Sequence, residues 1–157
     1  MSLPLIDRPA MRLIARRHTG PYGEPVGRFW RDVIAPWVQS MGWAGRVQVG
    51  IGRDDPRATP AEACRYDVGV LVDATEPLPP GDAFEVWLPA GPTWVAPFHG
   101  TPATIGIAMG RLLFETVPAH GLVIAGSPYE LYRPDGEFDA ATGAFSCELC
   151  VPVRRAG

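Results

Sequence analysis

The chain repeats its own order of segments at a spacing of 81 residues. Arg17-His18-Thr19-Gly20-Pro21, followed by an apolar helical pattern, returns as Phe98-His99-Gly100-Thr101-Pro102 followed by another. At the same offset Ala15/Ala96, Pro21/Pro102, Ala44/Ala125, Gly45/Gly126, Asp54/Asp135, Ala63/Ala144, Val70/Val151 and Val72/Val153 coincide, nine identities with His18/His99. The identities are few, and the repeated order of segment types carries the inference. Each half alone is too small to bury a good core, so the two must pack together, and the seam between them is a natural place for a pocket.

Within each half the periodicity predicts strand, helix, strand, strand. Met11 to Arg17 is compatible with a strand and is ended by the turn chemistry of Thr19-Gly20-Pro21-Tyr22-Gly23. Phe29, Trp30, Val33, Ile34, Trp37 and Met41 form one face of an amphipathic helix, in which Pro36 should introduce a kink or remove a hydrogen bond. Strands are expected at Val47 to Ile51 and Arg65 to Val72, separated by the loop that holds Asp54-Asp55-Pro56 and Thr59-Pro60-Ala61-Glu62. The second half gives strands at Phe84 to Leu88 and Thr93 to Phe98. It continues with a helix whose apolar face is Ile105, Met109, Leu112, Leu113 and Val117, then strands at Pro128 to Arg133 and Phe145 to Val153. The expected organisation is a single domain: repeat one over about 3–72, a Pro-rich linker over about 73–82 and repeat two over about 83–154. The simplest way to bury these faces is an α+β fold with helices on one side of an antiparallel sheet.

A net charge of -3, a pI of about 5.6 and the lack of a Lys or Arg run remove the footprint of a nucleic-acid binder. Arg12, Arg16 and Arg17 are the one basic concentration and read as a solvated strand face. No apolar run approaches the roughly 20 residues of a membrane helix, and no signal peptide is evident, so a cytoplasmic location is expected. Cys64, Cys147 and Cys150 read as reduced thiols. Cys147-x-x-Cys150 has no second pair, and on a strand its two thiols would point to opposite faces, so no metal is expected.

Several dispersed motifs, in order, resemble the GyrI-like family, which shares its fold with effector-binding domains of AraC-type and MerR-type multidrug regulators. They are Arg17-His18-Thr19-Gly20-Pro21-Tyr22, Asp54-Asp55-Pro56, Thr59-Pro60-Ala61-Glu62 and Arg65-Tyr66-Asp67 in the first half. In the second they are Leu88-Pro89-Ala90-Gly91, Tyr129-Glu130-Leu131-Tyr132 and Glu148-Leu149-Cys150-Val151-Pro152-Val153. The resemblance implies tandem βαββ repeats with pseudo-two-fold symmetry, a small-molecule cleft between them and a glutamate, here Glu130, in that cleft. It also implies two kinds of stand-alone relative: gyrase inhibitors, and hydrolases of strained cyclopropane-containing toxins. The regulators carry a separate DNA-binding domain for which 157 residues leave no room, so a stand-alone protein is expected. Two departures stand out: His99-Gly100-Thr101-Pro102-Ala103 replaces the usual Gly-Pro-Tyr turn, and Cys150 stands at an often aromatic position.

Strand alternation gives candidate site residues independently. Along Phe145 to Val153 the odd positions are apolar and should pack on the helices, together with Tyr129 and Leu131. Glu130, Tyr132, Glu148 and Cys150 then share the opposite face, with Gln48, Gly50, Gly52, Asp67 and Gly69 of the first half supplying space and an edge carboxylate. The alternative is a wet sheet face with bulges at its glycines. Trp87 and Trp94 offer flat aromatic surface, although Trp94 also suits the core, where Trp30 and Trp37 belong. His18 and His99 suit structural roles at the turns, and His120 suits a helix end.

A carboxylate in such a cleft would attract lipophilic cations, or, if partly protonated, serve as a general acid or base assisted by Tyr132. The expected function is binding or sequestration of an apolar or amphipathic, cationic or electrophilic small molecule, with no cofactor. The alternatives are hydrolysis of cyclopropane-type electrophiles, and contact with a protein partner such as gyrase.

Overall fold

The computed structural model describes residues 2–157. Nine strands and two long helices follow one another. β1 is Leu5–Arg8, β2 Met11–Thr19, β3 Gln48–Gly52, β4 Arg65–Val72, β5 Phe84–Leu88, β6 Gly91–Gly100, β7 Leu122–Ile124, β8 Tyr129–Tyr132 and β9 Phe145–Arg155. Helix α1 covers 24–41, between β2 and β3, and helix α2 covers 105–119, between β6 and β7. The short strands β1 and β7 have no counterpart in the sequence reading, because three or four residues are too few to display alternation.

The sheet is antiparallel throughout, in the order β1-β6-β9-β8-β3-β4-β2-β5, with β7 added along the end of β9. That order is unchanged when β1 and β5, β2 and β6, β3 and β8, and β4 and β9 are exchanged, which is the pseudo-two-fold symmetry in strand terms. The leading strand of each half crosses over to border the other half: β1 pairs with β6, and β5 with β2. The halves are joined at the centre by β3 and β8, where Gly50 lies directly opposite Glu130.

One face of the sheet curls on itself around Leu13, Ala15, Val49, Ile51, Leu131 and Cys150. The other face carries the helices, each over its own half. Ile34 and Val38 of α1 pack on Ile14, Val68 and Val70, while Leu112 and Val117 of α2 pack on Leu149, Val151 and Val153. Neither helix covers the central β3–β8 seam, and a cleft opens there.

Both helices are interrupted by a π turn, Trp30–Ile34 in α1 and Leu112–Thr116 in α2, and each turn runs up to a proline, Pro36 or Pro118. A proline has no N–H for the carbonyl four residues back and its ring crowds that carbonyl; one wider turn reroutes the hydrogen bonds without ending the helix. Helix α1 then stops at Gly42, whose φ of 73° is the left-handed conformation that glycine adopts freely.

The basic cluster is not a solvated face. Arg12 is buried and donates to Glu85 and to the Asp73 and Glu76 carbonyls, while Arg17 points to the opposite face and holds Asp67 in a two-point ion pair. Among the described residues no helix is long and apolar enough to cross a membrane.

Candidate functional site

The cleft over the seam has a volume of about 1230 Å³. Its floor is the helix-side face of β3 and β8, and its walls are α1 and α2. Glu130 is at the centre of the floor and is 9% exposed. Its Oε1 accepts a hydrogen bond from the Tyr66 hydroxyl at 2.5 Å and another from the Tyr132 hydroxyl at 3.1 Å. Indole Nε1 of Trp30, on α1, donates to the Tyr66 oxygen at 3.2 Å. Oε2 of Glu130 accepts nothing from the described residues. The network therefore ties one carboxylate oxygen to both repeats and leaves the other for whatever enters the cleft.

Glycine at position 50 makes this arrangement possible. A Cβ there would lie 1.8 Å from the Tyr66 hydroxyl oxygen and 3.0 Å from Oε1 of Glu130. The missing side chain is the space into which Tyr66 reaches to meet the carboxylate. Around this polar point the surface is aromatic and aliphatic. The Trp30 ring meets Tyr132 edge-on with centroids 4.9 Å apart, Tyr132 leans on Phe145 at 5.8 Å, and Tyr22 lies 6.1 Å from Tyr66. Ile105, Met109, Leu113 and Phe114 supply the α2 wall.

Burial in these surroundings pushes the Glu130 carboxyl up to about 7, against the pull of the two phenol hydrogen bonds, which favour its ionised form. The same burial, reinforced by the Glu130 charge, raises Tyr66 and Tyr132 well above the usual phenol range, so both stay protonated donors at neutral pH. The site thus presents a carboxylate that changes charge near neutrality between two phenols that do not.

The sequence-derived candidates divide between the two faces of the sheet. Glu130, Tyr132 and Gly50 come together on the cleft side. Glu148 and Cys150 do not join them: Glu130 is opposite Leu149, and Glu148 is opposite Leu131, so the expected shared surface of Glu130 and Glu148 is absent. Tyr129 and Leu131 accordingly belong to the curled inner core and not to the helix side. The odd face of β9 does pack on α2, but the polar positions of β8 share that side because the seam has no helix above it. Glu148 pairs with Arg8 and Arg133, and Cys150 is fully buried beside Tyr129.

In the first half Gly50 is opposite Val68, which puts Asp67 and Gly69 on the inner face as well. Asp67 is fully buried between Arg17 and Arg53 and is not an edge carboxylate, and a Cβ on Gly69 would lie 2.8 Å from that of Leu13. Trp94 is buried under α2, and Trp87 stands half-exposed on the outer strand β5, bonded to Glu85; neither lines the cleft. Trp30 packs against the core of the first half, as expected, and also lines the cleft wall.

Sequence reasoning missed Tyr66 and Trp30 as site residues. The signal for Tyr66 lay in its place opposite Gly52, on the same face as Gly50, but that follows only once the register of β3 against β4 is known.

Burial also pushes the Cys147 and Cys150 thiols up to about 12, and Cys64 is buried too. An Ellman titration is expected to find almost no fast-reacting thiol in the native protein and all three cysteines after unfolding; two fast native thiols would contradict this packing.

Comparison with known proteins accounts for this architecture. The SPbeta prophage-derived protein YosT of Bacillus subtilis (strain 168), named as a candidate transcriptional regulator, is 29% identical over 160 residues, spanning 98% of this chain and all of that protein. The C-terminal domain of EcmrR superposes with a TM-score of 0.69 at 13% identity, covering 97% of this chain and 96% of that one. SAV2435, solved bound to tetraphenylphosphonium, superposes with a TM-score of 0.63 at 15% identity, covering 98% and 94%. A hydrolase from Listeria innocua superposes at 0.59 with 11% identity, covering 96% and 90%. At these identities the solved structures establish the fold. The family described as the GyrI-like small molecule binding domain matches residues 1–154, and the chain belongs to it.

Proposed function

We propose that the protein binds lipophilic organic cations in the cleft between its repeats, with Glu130 as the counter-charge. The observation that carries this reading is the free Oε2 of a buried carboxylate on the floor of an aromatic and aliphatic cleft. An ionised carboxylate there makes no ion pair with a described residue, and a bound cation would supply one while the aromatic rings cover its apolar surface. SAV2435, of the same fold, holds a lipophilic cation of this kind.

Calorimetric titration with tetraphenylphosphonium tests it. Affinity is expected to rise as pH goes from about 6 to about 8, because the cation binds the ionised form and the Glu130 carboxyl ionises near 7. Glu130→Gln should weaken binding by at least about tenfold at the upper pH and remove the pH dependence. An affinity that survives the substitution unchanged would take the counter-charge role away from Glu130.

A second reading is supported by the same ionisation. A carboxyl that titrates near 7, with the Tyr132 phenol 3.1 Å away, is suited to take a proton from water as its oxygen adds to a strained electrophilic ring, and to return it to the carbon released when the ring bond breaks. Incubation with an activated cyclopropane should then give ring-opened, hydrated product over many turnovers, and Glu130→Gln should stop it. A stoichiometric adduct, or no product, excludes this activity.

A further inference from the structure

The two walls of the cleft differ in a way the fold does not require. Helix α1 faces it with Glu24, Val26, Arg28, Trp30, Arg31 and Ala35, side chains on every turn, with Gly27 beside them. Gly27 has a packing reason, since a Cβ there would touch Pro102 at 3.1 Å. Helix α2 presents Gly106 and Gly110, flanked by Ile105, Met109, Leu113 and Phe114. These two glycines have no such reason. Neither has a positive φ, and a Cβ added to either would meet no atom within 4 Å.

Glycine inside a helix costs stability relative to alanine, because it loses more backbone freedom on folding. Two of them one turn apart, without a packing neighbour or a turn to justify them, weaken α2 and gain the fold nothing. What they do create is a strip of bare helix backbone about 6 Å long, opening onto the same cleft as the unpartnered Oε2 of the buried Glu130. A flat ring can lie against such a strip at van der Waals distance, with the adaptable Met109 side chain beside it. A tetrahedral aryl cation can lay at most one of its rings there, since the other rings project away from the surface, so it gains less contact from the strip than a fused planar system does.

We infer that Gly106 and Gly110 select for planar, polycyclic organic cations, which lie face-on against α2 with their charge directed to Glu130. This rests on the cation-binding reading of the cleft and specifies which cations it favours.

Proflavine, a planar tricyclic cation, and tetraphenylphosphonium, a tetrahedral one, are the probes. Each is titrated calorimetrically into the wild-type chain, Gly106→Leu, Gly110→Leu, the Gly106→Ala/Gly110→Ala double variant and Glu130→Gln at about pH 8. Either leucine substitution is expected to weaken proflavine by at least about tenfold and tetraphenylphosphonium by less than about threefold. The double alanine variant should melt above the wild type, because its helix is better, and should still lose proflavine affinity, which separates loss of the surface from loss of the fold. Proflavine binding that is absent in the wild type, insensitive to both leucine variants, or reduced no more than that of tetraphenylphosphonium overturns the inference. Loss of the Glu130 dependence for both cations instead overturns the reading beneath it.

Discussion

Replacing Glu130 with glutamine is expected to stabilise the protein at about pH 8, raising its melting temperature by roughly 6–12 °C, and to change little at about pH 4. The reasoning is linkage. Glu130 ionises near 7 in the folded chain against an ordinary 4.5, so over that interval the native state holds a proton that the unfolded chain releases. The stabilisation tied to that proton is fully present below about 4.5 and is lost as pH rises through about 7. The gap corresponds to on the order of 3 kcal/mol. Glutamine carries no charge to desolvate and still offers Oε1 to Tyr66 and Tyr132, so it escapes the cost above neutrality while keeping both hydrogen bonds.

The measurement is the difference between variant and wild type across pH by calorimetry or chemical denaturation, which cancels the other carboxylates. Several of those, Asp54, Asp73 and Glu85 among them, are held below their ordinary values and contribute with the opposite sign. A difference that does not grow between about pH 5 and about pH 8 would mean that Glu130 is solvated and not buried. Saturating tetraphenylphosphonium should narrow the gap by stabilising the wild type, since a ligand that binds the native state alone raises its stability.

Gly50→Ala is expected to destabilise the protein by about 2–5 kcal/mol, whereas Gly52→Ala, two residues along the same strand, should be nearly neutral. The contrast follows from what each new methyl would meet. At position 50 it falls 1.8 Å from the Tyr66 hydroxyl oxygen and 2.7 Å from the ring carbon that bears it; at position 52 the nearest atom is the Tyr22 hydroxyl oxygen at 4.0 Å. Tyr66 would have to withdraw, and the withdrawal would strip Glu130 of one donor and leave the Trp30 indole N–H without its acceptor. The Glu130 carboxyl should then ionise at still higher pH, and cation affinity near neutrality should fall with it. Tyr66→Phe in the Gly50→Ala background removes the hydroxyl but leaves the 2.7 Å ring contact, so it should recover part of the loss and not all of it. Denaturant midpoints for the wild type and the three variants decide this; equal losses at positions 50 and 52 would show that Tyr66 does not occupy the space above Gly50.

These two effects depend on the parts of the site that one sequence could not order. The duplication was legible, as were both helices and seven of the nine strands, because periodicities of 3.6 and 2 persist over five or more residues in nearly all of them. Glu130 was legible as a candidate through the family resemblance and through strand alternation, and Tyr132 through strand alternation. The division into faces was misread for Glu148, Cys150, Asp67 and Gly69. Alternation says that neighbours on one strand point oppositely, but it does not say which residue of the adjacent strand shares a side, and a slip of one residue exchanges the whole set.

The 81-residue offset illustrates the difficulty. It relates β4 to β9, where Val68 matches Leu149; since Val68 is opposite Gly50 and Leu149 opposite Glu130, the matching positions along β3 and β8 are 80 apart. With that register the halves are complementary. Gly50 and Gly52 stand where the second half has Glu130 and Tyr132, and Tyr66 stands where it has Cys147. The first repeat gives up side chains on one strand and sends a tyrosine from the next across the dyad to the carboxylate.

The sequence by itself determined that two similar halves must share a core, that helices would cover one side of an antiparallel sheet, and that a glutamate and a tyrosine near its centre were available for chemistry. Those conclusions depend on local periodicity, which each segment carries within itself. Only the tertiary structure decided which groups join Tyr132 around Glu130, because the hydroxyl of Tyr66 and the indole of Trp30 come from segments far apart in the chain. Strand register and the gap between two helices brought them together. Both are set by the packing of the whole domain, and neither leaves a pattern in any one segment.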